Sequence, residues 1–211
     1  MKIILASKSP RRKEILENLG IKFTIITEET DESSAIKDPA DLVRVLAARK
    51  GLAVADRIIK LVESNDIADL VDDEMLVLSS DTVVAVDGEI LGKPADLTDA
   101  KRMLGLIEGR DHSVFSGIAA TLIKGGEIAK AVSATEETVV RFSKMTDADI
   151  DFYINNENVL DKAGAYAIQG IASAWIDGID GDYFNVVGLP VRRLMKLLEE
   201  ELGVSLAALR E

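Results

Sequence analysis

The sequence predicts an α/β protein. Three observations carry this. An apolar strand at the start runs through a tight loop into a proline-initiated helix; two long strand-like stretches join at a glycine pair; and helical apolar spacing follows Asp38-Pro39, with Pro190 opening a last helix. With 211 residues the chain suffices for one core, or for two small lobes sharing a sheet, and a single domain over residues 1–211 is expected.

Taken in order, Lys2–Ala6 reads as a buried strand and Ser9-Pro10-Arg11-Arg12 as N-cap, N1, N2 and N3 of a helix ending near Gly20. Lys22–Thr27 alternates as a strand. Asp38-Pro39 opens a second helix, with Leu42, Val45, Leu46 and Leu52 at helical spacing to about Arg57, which puts Lys50 on that helix. Ile58–Glu74 reads as a peripheral helix and loop containing the acidic run Asp72-Asp73-Glu74. Met75–Leu78 and Val83–Val86 read as strands around Ser79-Ser80-Asp81-Thr82, and Asp87-Gly88 is a hairpin signal before Glu89-Ile90-Leu91.

Thr98 is the expected cap of a helix through Ile107. Ser113–Ile123 and Glu127–Phe142 read as long strands joined at Lys124-Gly125-Gly126, and Thr146 with Asp149 marks another helix start. Gly164–Ile168, Ala174–Ile179 and Tyr183–Val187 read as short strands broken by Gly170, Gly181 and Gly188, before Pro190 opens the last helix.

Composition narrows the chemistry. A 47% hydrophobic and 29% charged chain with no apolar run of about 20 residues reads as a soluble protein with no membrane partner. The start lacks the architecture of a signal peptide, which points to the cytoplasm. There is no cysteine and a single histidine, His112, so a metal would sit among oxygen ligands. The formal charge of −12 disfavours a surface that tracks nucleic acid, while a small phosphorylated ligand needs only a local basic site.

Arg11 and Arg12 occupy the first turn of a helix, where the positive dipole end repels cations by roughly 0.3–1 kcal/mol each. Free N–H groups there, with Ser7, Ser9 and two guanidinium groups, make a polyphosphate cradle; the alternative is that both arginines simply reach solvent. Asp81 lies among apolar strand positions, where a carboxylate needs a partner or a function, and Lys93 is a candidate partner or phosphate ligand. Asp81 can deprotonate water, hold a divalent cation, or cap a turn. Glu32 is a further oxygen ligand for a hard cation, or an exposed loop carboxylate. In Asp161–Gly170, Gln169 is an amide able to read a nucleobase edge or to cap a turn, and Lys162 is a surface charge unless the segment joins the site.

Leu5-Ala6-Ser7-Lys8-Ser9-Pro10-Arg11-Arg12, Ser80-Asp81-Thr82-Val83-Val84, Leu91-Gly92-Lys93-Pro94, Asp161–Gly170 and Asn185-Val186-Val187-Gly188-Leu189-Pro190 together resemble the Maf family of nucleotide pyrophosphatases. The blocks run in order across nearly the whole chain. The resemblance implies an elongated mixed β-sheet with flanking helices, two lobes around a central nucleotide-binding cleft, and a homodimer. It implies a nucleoside triphosphate substrate and a divalent cation, Mg²⁺ or Mn²⁺. By motif, Asp81 is the expected proton acceptor; Ser7, Ser9, Arg11, Arg12, Lys50, Lys93 and Lys162 are phosphate or site-shaping groups; and Glu32 joins Asp81 on the metal side.

Arg11, Thr82 and Gln169 resemble the branch acting on dTTP and UTP, so these substrates, with CTP or modified pyrimidine nucleotides, are expected in nucleotide-pool housekeeping or cell-division arrest. A nucleotide-sensing regulator of septum formation with little turnover is the alternative. The chain departs from the family pattern at Gly51, at Ala172 and in Glu108-Gly109-Arg110-Asp111-His112. His112 and Trp175 are expected to be structural rather than catalytic.

Overall fold

The structure, a computed structural model, describes residues 1–63 and 74–210. Part of the expected helix and loop over residues 58–74, including Asp72 and Asp73, falls outside the described residues. Strand β1 (Lys2–Leu5) pairs in parallel with the two-residue β2 (Thr24–Ile25) on one side and with β3 (Glu74–Val86) on the other. β3 then runs antiparallel to β5 (Asp111–Lys124), β5 to β6 (Glu127–Phe142), and β6 to β7 (Ile176–Asp180). β4 (Glu89–Leu91) folds back on β3 through Asp87 and Gly88, whose φ of 49° and 82° are those of a tight hairpin turn. The result is a seven-stranded mixed sheet in the order β2-β1-β3-β5-β6-β7, with β4 beside β3.

One edge of β3 positions everything that follows. β1 covers it from Met75 to Leu78 and β4 from Val84 to Val86, so Ser79 to Val83 carry a strand neighbour only on the β5 side. Successive side chains alternate between the two faces. On one face Leu76 and Leu78 pack with helices α1 (Pro10–Asn18) and α6 (Val191–Leu202), while further along Val84 and Val86 join α3 (Leu97–Ile107) and α4 (Asp147–Asn156). On the other face Met75 and Val77 pack beneath α2 (Pro39–Glu63). Two apolar lobes are thus strung along β3, with its polar middle between them.

The path of α2 over the sheet depends on small residues. Gly117 stands opposite Asp81 in register, and a Cβ there would lie 2.1 Å from the Val43 carbonyl oxygen, so only glycine lets the helix cross at this height. Two turns later a Cβ on Gly51 would meet the Ser79 hydroxyl at 2.8 Å, and that hydroxyl donates to the Ala47 carbonyl at 2.7 Å. The glycine after Lys50 therefore follows from how closely this helix approaches β3.

Several expected elements change type. Met75–Leu78 and Val83–Val86 are one continuous strand, because Ser79 through Thr82 keep their ladder to β5. Lys22–Thr27 contributes only Thr24–Ile25. The helix before Ile107 is capped by Asp96, whose side chain accepts from Asp99 N, rather than by Thr98. Gly164–Ile168 is no strand but begins with a 3₁₀ turn over Ala163–Ala165, and Ala174 and Trp175 end a second over Gly170–Trp175, leaving β7 for Ile176 onward. Tyr183–Val187 is the helix α5: Asp182 caps it by accepting from Phe184 N, and Gly188 ends it with φ 115°. A short apolar run fits a strand or a helix equally, and the cap residues decide. A last helix, α7 (Leu206–Arg210), follows α6. The capping box of Thr146 and Asp149 is present as expected. No described helix is long and apolar enough to cross a membrane.

His112 is 3% exposed, beside Phe142 in the lobe of α3 and α4, with Nε2 at 2.7 Å from the Tyr166 hydroxyl. Burial pushes its pKa down from 6.5 to about 4, so the fold holds it neutral. Between those values the unfolded chain binds a proton that the native protein refuses. The stabilisation is complete above about pH 6.5 and is lost as pH falls towards 4. The expected outcome is that His112→Phe flattens the loss of unfolding free energy between pH 6.5 and 4, by on the order of 3 kcal/mol, in urea titrations of parent and variant. Parallel curves would refute it.

Candidate active site

The uncovered stretch of β3 opens into a cleft of about 1060 Å³. The turn after β1 supplies Ser7 and Ser9 and the first turn of α1 supplies Arg12; the loop before α2 supplies Glu32, and α2 itself supplies Lys50. β3 supplies Asp81 and Thr82, the turn after β4 supplies Lys93, and the far lobe supplies Asp161.

Asp81 and Thr82 point to opposite faces of β3, which divides the site into two polar groups. On the α2 face Lys50 Nζ sits 2.5 Å from Asp81 Oδ1 and 2.7 Å from Glu32 Oε1, with the Asp81 side chain 13% and that of Glu32 59% exposed. Asp81 Oδ2 has no hydrogen-bond partner among the described residues. The hydrogen bond from Lys50, and then the charges of Lys50, Lys93 and Arg12, hold the Glu32 carboxyl below its ordinary pKa against the cost of burial.

On the opposite face Arg12 is locked by neutral acceptors. Nε donates to the Gly188 carbonyl at 2.8 Å, Nη1 to Ser7 Oγ at 3.3 Å and Nη2 to Thr82 Oγ1 at 3.1 Å. Since Thr82 accepts from Arg12, its own proton goes to Ser116 Oγ at 2.9 Å, and Ser116 donates on to the Asn185 carbonyl at 2.9 Å. Asn185 is itself fixed, its amide donating to the Val114 carbonyl at 2.9 Å and to Thr138 Oγ1 at 3.0 Å. Burial lowers the Arg12 pKa, and the Asp81 charge pulls the other way. A guanidinium stays charged under such shifts, so a cation without a bonded carboxylate faces the cleft.

Not every expected residue joins this group. Arg11 is turned to the far lobe, where Nη1 lies 3.3 Å from Asp161 Oδ2. Lys162, 7% exposed rather than a surface charge, donates to the Asn158 carbonyl and to Asp161 Oδ1, the latter at 2.9 Å. Burial raises the Asp161 pKa, but Lys162 and then Arg11 outweigh it and hold the carboxyl below its ordinary value. Ser9 sits at the N-cap of α1 without a side-chain cap bond. Gln169 lies outside the cleft lining, at the N-cap of the 3₁₀ turn over Gly170–Trp175, whereas its neighbours Tyr166 and Ile168 line the cleft. Asp161, Ser116, Asn185 and the Gly188 carbonyl are site residues that local sequence pattern does not mark out; the only local signal is Ser116-Gly117, set between Phe115 and the apolar run Ile118-Ala119-Ala120.

The family model described as Maf-like protein matches residues 2–201. The chain belongs to the Maf-like family. A dTTP/UTP pyrophosphatase of Caldanaerobacter subterraneus subsp. tengcongensis is 47% identical over 97% of this chain and 91% of the relative. Another of that name, from Symbiobacterium thermophilum, is 45% identical over 94% and 93%, and one from Bacillus cytotoxicus is 42% identical over 94% and 95%. A solved nucleoside-triphosphatase / dITP/XTP pyrophosphatase from Mycobacterium abscessus bears a slight likeness, at 16% identity and TM-score 0.34 over 69% of this chain and 76% of that one.

The lock on Arg12 has a testable consequence. Thr82→Val keeps the shape but removes the acceptor for Nη2 and the donor to Ser116, whereas Thr82→Ser keeps both. Loss of a charge-assisted hydrogen bond is worth about 1.5–3 kcal/mol. The valine variant is expected to bind inorganic tripolyphosphate at least about tenfold more weakly by calorimetry, and the serine variant to stay near the parent. Equal affinities for both variants would show that the threonine hydroxyl does not hold the arginine in use.

Proposed function

We propose that this member of the Maf-like family is a nucleoside triphosphate pyrophosphatase that hydrolyses dTTP and UTP, and CTP or modified pyrimidine nucleotides, to the monophosphate and pyrophosphate. The observation that carries the reading is Asp81. Its carboxylate stands in the uncovered middle of β3, held on one oxygen by Lys50, within a cleft that also presents Arg12 and Lys93. The names of the relatives supply the bases and the bond cut.

The chemistry follows from the groups present. Arg12, Lys93 and Lys50 bring positive charge to a ligand carrying several negative ones, and the free N–H groups at the start of α1 add to it. A water held against the second oxygen of Asp81 gives its proton to the carboxylate as its oxygen bonds to phosphorus. The bridging bond between the α and β phosphates breaks, and its electron pair leaves on a phosphate oxygen, where the nearby cations stabilise the developing charge.

The donor set suits a divalent cation completed by substrate. Glu32 and Asp81 already converge on one cationic centre, the Lys50 ammonium, at 2.7 and 2.5 Å. Mg²⁺ characteristically takes one or two carboxylates and fills its remaining positions with phosphate oxygens and water. Among the described residues no group of three or more acidic, His or Cys side chains forms an all-protein site. Glu32 and Asp81 are the residues that would hold Mg²⁺ or Mn²⁺, which would neutralise phosphate charge. Arg11 and Lys162 enter this reading through Asp161, the lining carboxylate that both of them pair with, and Gln169 through its position next to Ile168 of the lining. Homodimerisation and a cytoplasmic location complete the proposal and rest on the family resemblance and composition.

Asp81→Asn tests the reading. The amide retains size and folding but neither accepts the proton nor carries the charge, so pyrophosphate release from dTTP with Mg²⁺ is expected to fall by at least about 10²-fold, with nucleotide binding retained. Turnover within a few-fold of the parent removes Asp81 from the mechanism. Tight nucleotide binding by the parent without turnover favours a nucleotide sensor instead.

A further inference from the structure

Beyond the cationic groups, the cleft has an end that phosphate chemistry does not use. Past Thr82 on the same face of β3 the lining becomes Val84, Val114, Ala163, Tyr166 and Val186, with Val84 and Val114 directly paired between β3 and β5. Tyr166 is the one aromatic side chain lining the cleft among the described residues, and it is 5% exposed, so it closes the space and does not project into it.

That tyrosine is held from three sides. Its hydroxyl meets His112 Nε2 at 2.7 Å, and its ring stands edge-on to His112 and to Phe142, with centroids 5.3 Å from each. The chain leading into it is just as fixed. Gly164 N donates to the Gly92 carbonyl at 3.0 Å, and a Cβ at Gly164 would lie 2.7 Å from Val84 Cγ2. Ala165, fully buried, takes a φ of 63°, a conformation that residues with a Cβ avoid unless their surroundings impose it. A side chain fixed this firmly at the bottom of a cleft sets its depth.

We infer that Tyr166 is the floor of a nucleobase pocket and limits it to single-ring bases, and that His112 is the positioning residue that keeps this floor in place. The inference rests on the triphosphate reading of the same cleft. With the phosphates among Arg12, Lys50 and Lys93, the base is the apolar, planar part of the ligand. The wall of valines ending on one ring is the apolar surface that continues from those cations. A purine is joined to the sugar through its five-membered ring, so its six-membered ring reaches further from the ribose than a pyrimidine does. That outer ring would have to displace Tyr166, which its hydrogen bond and its ring contacts resist.

The test is steady-state hydrolysis of dTTP, UTP, dATP and dGTP by the parent, Tyr166→Leu, Tyr166→Phe, His112→Phe and the double variant Tyr166→Phe/His112→Phe, with tripolyphosphate as a competitive inhibitor. Tyr166→Leu is expected to raise the purine-to-pyrimidine ratio of kcat/KM about tenfold or more, chiefly through KM, while the inhibition constant of tripolyphosphate stays within about twofold of the parent. Tyr166→Phe and His112→Phe each delete the same hydrogen bond. Each should shift the ratio in the same direction by less, and the double variant by no more than either alone. A folded Tyr166→Leu with an unchanged ratio, or one that weakens tripolyphosphate as much as dTTP, overturns the pocket assignment. If the leucine variant does not fold, an unchanged ratio in both phenylalanine variants overturns it. A parent that hydrolyses none of the four triphosphates instead overturns the reading of the cleft on which the inference stands.

Discussion

Four polar side chains in the middle of a buried strand set the terms for the rest of the molecule. Ser79, Ser80, Asp81 and Thr82 interrupt β3 where its neighbours β1 and β4 are absent, and a buried polar group left unpaired costs about 1–3 kcal/mol. Their partners lie on three different elements. Ser79 donates to Ala47 of α2, Ser80 to the Gly188 carbonyl after α5, Asp81 pairs with Lys50, and Thr82 takes the guanidinium of α1. Satisfying the strand therefore brings three helices to one place, and the cleft is what remains between them.

The same geometry explains how a chain of formal charge −12 presents cations to an anion. Glycine at 117 and at 51 lets α2 lie close enough to β3 for Lys50 to meet Asp81. Arg12 is held by a carbonyl and hydroxyls, which fix its direction without neutralising it. Arg11, one residue away, is paired with a carboxylate of the far lobe, so adjacent arginines on one helical turn differ in what they can offer a ligand. Low-dielectric walls concentrate such a local field even when the protein as a whole repels anions.

What could be read from the sequence, and what could not, divides along physical lines. Helix starts with side-chain caps or proline were legible, as at Pro10, Pro39 and Thr146, because capping is a local interaction. The glycine turns at Gly88 and Gly125-Gly126 were legible for the same reason. The continuity of β3 was not, since Ser79-Ser80-Asp81-Thr82 look like a break until partners distant in sequence are supplied. Nor was the helical state of Tyr183–Val187, an apolar run too short for its period to decide. Of the site, Asp81, Arg12, Lys50, Lys93, Ser7, Thr82 and Glu32 come together around one cleft. Arg11 and Lys162 instead meet each other's partner, Asp161, and Gln169 lies outside the lining. Whether two side chains 150 residues apart meet, as Arg11 and Asp161 do, depends on tertiary contact that no local pattern encodes.

In the proposed reaction water is directed to one particular phosphoanhydride, the bond between the α and β phosphates, by Asp81. Phosphorus NMR of dTTP incubated with the protein and Mg²⁺ tests it most directly, because each possible cut leaves a different pair of products. The expected result is dTMP and pyrophosphate in equal amounts from the earliest time point, with no dTDP; the appearance of dTDP with orthophosphate, or no consumption of dTTP at all, would contradict this assignment.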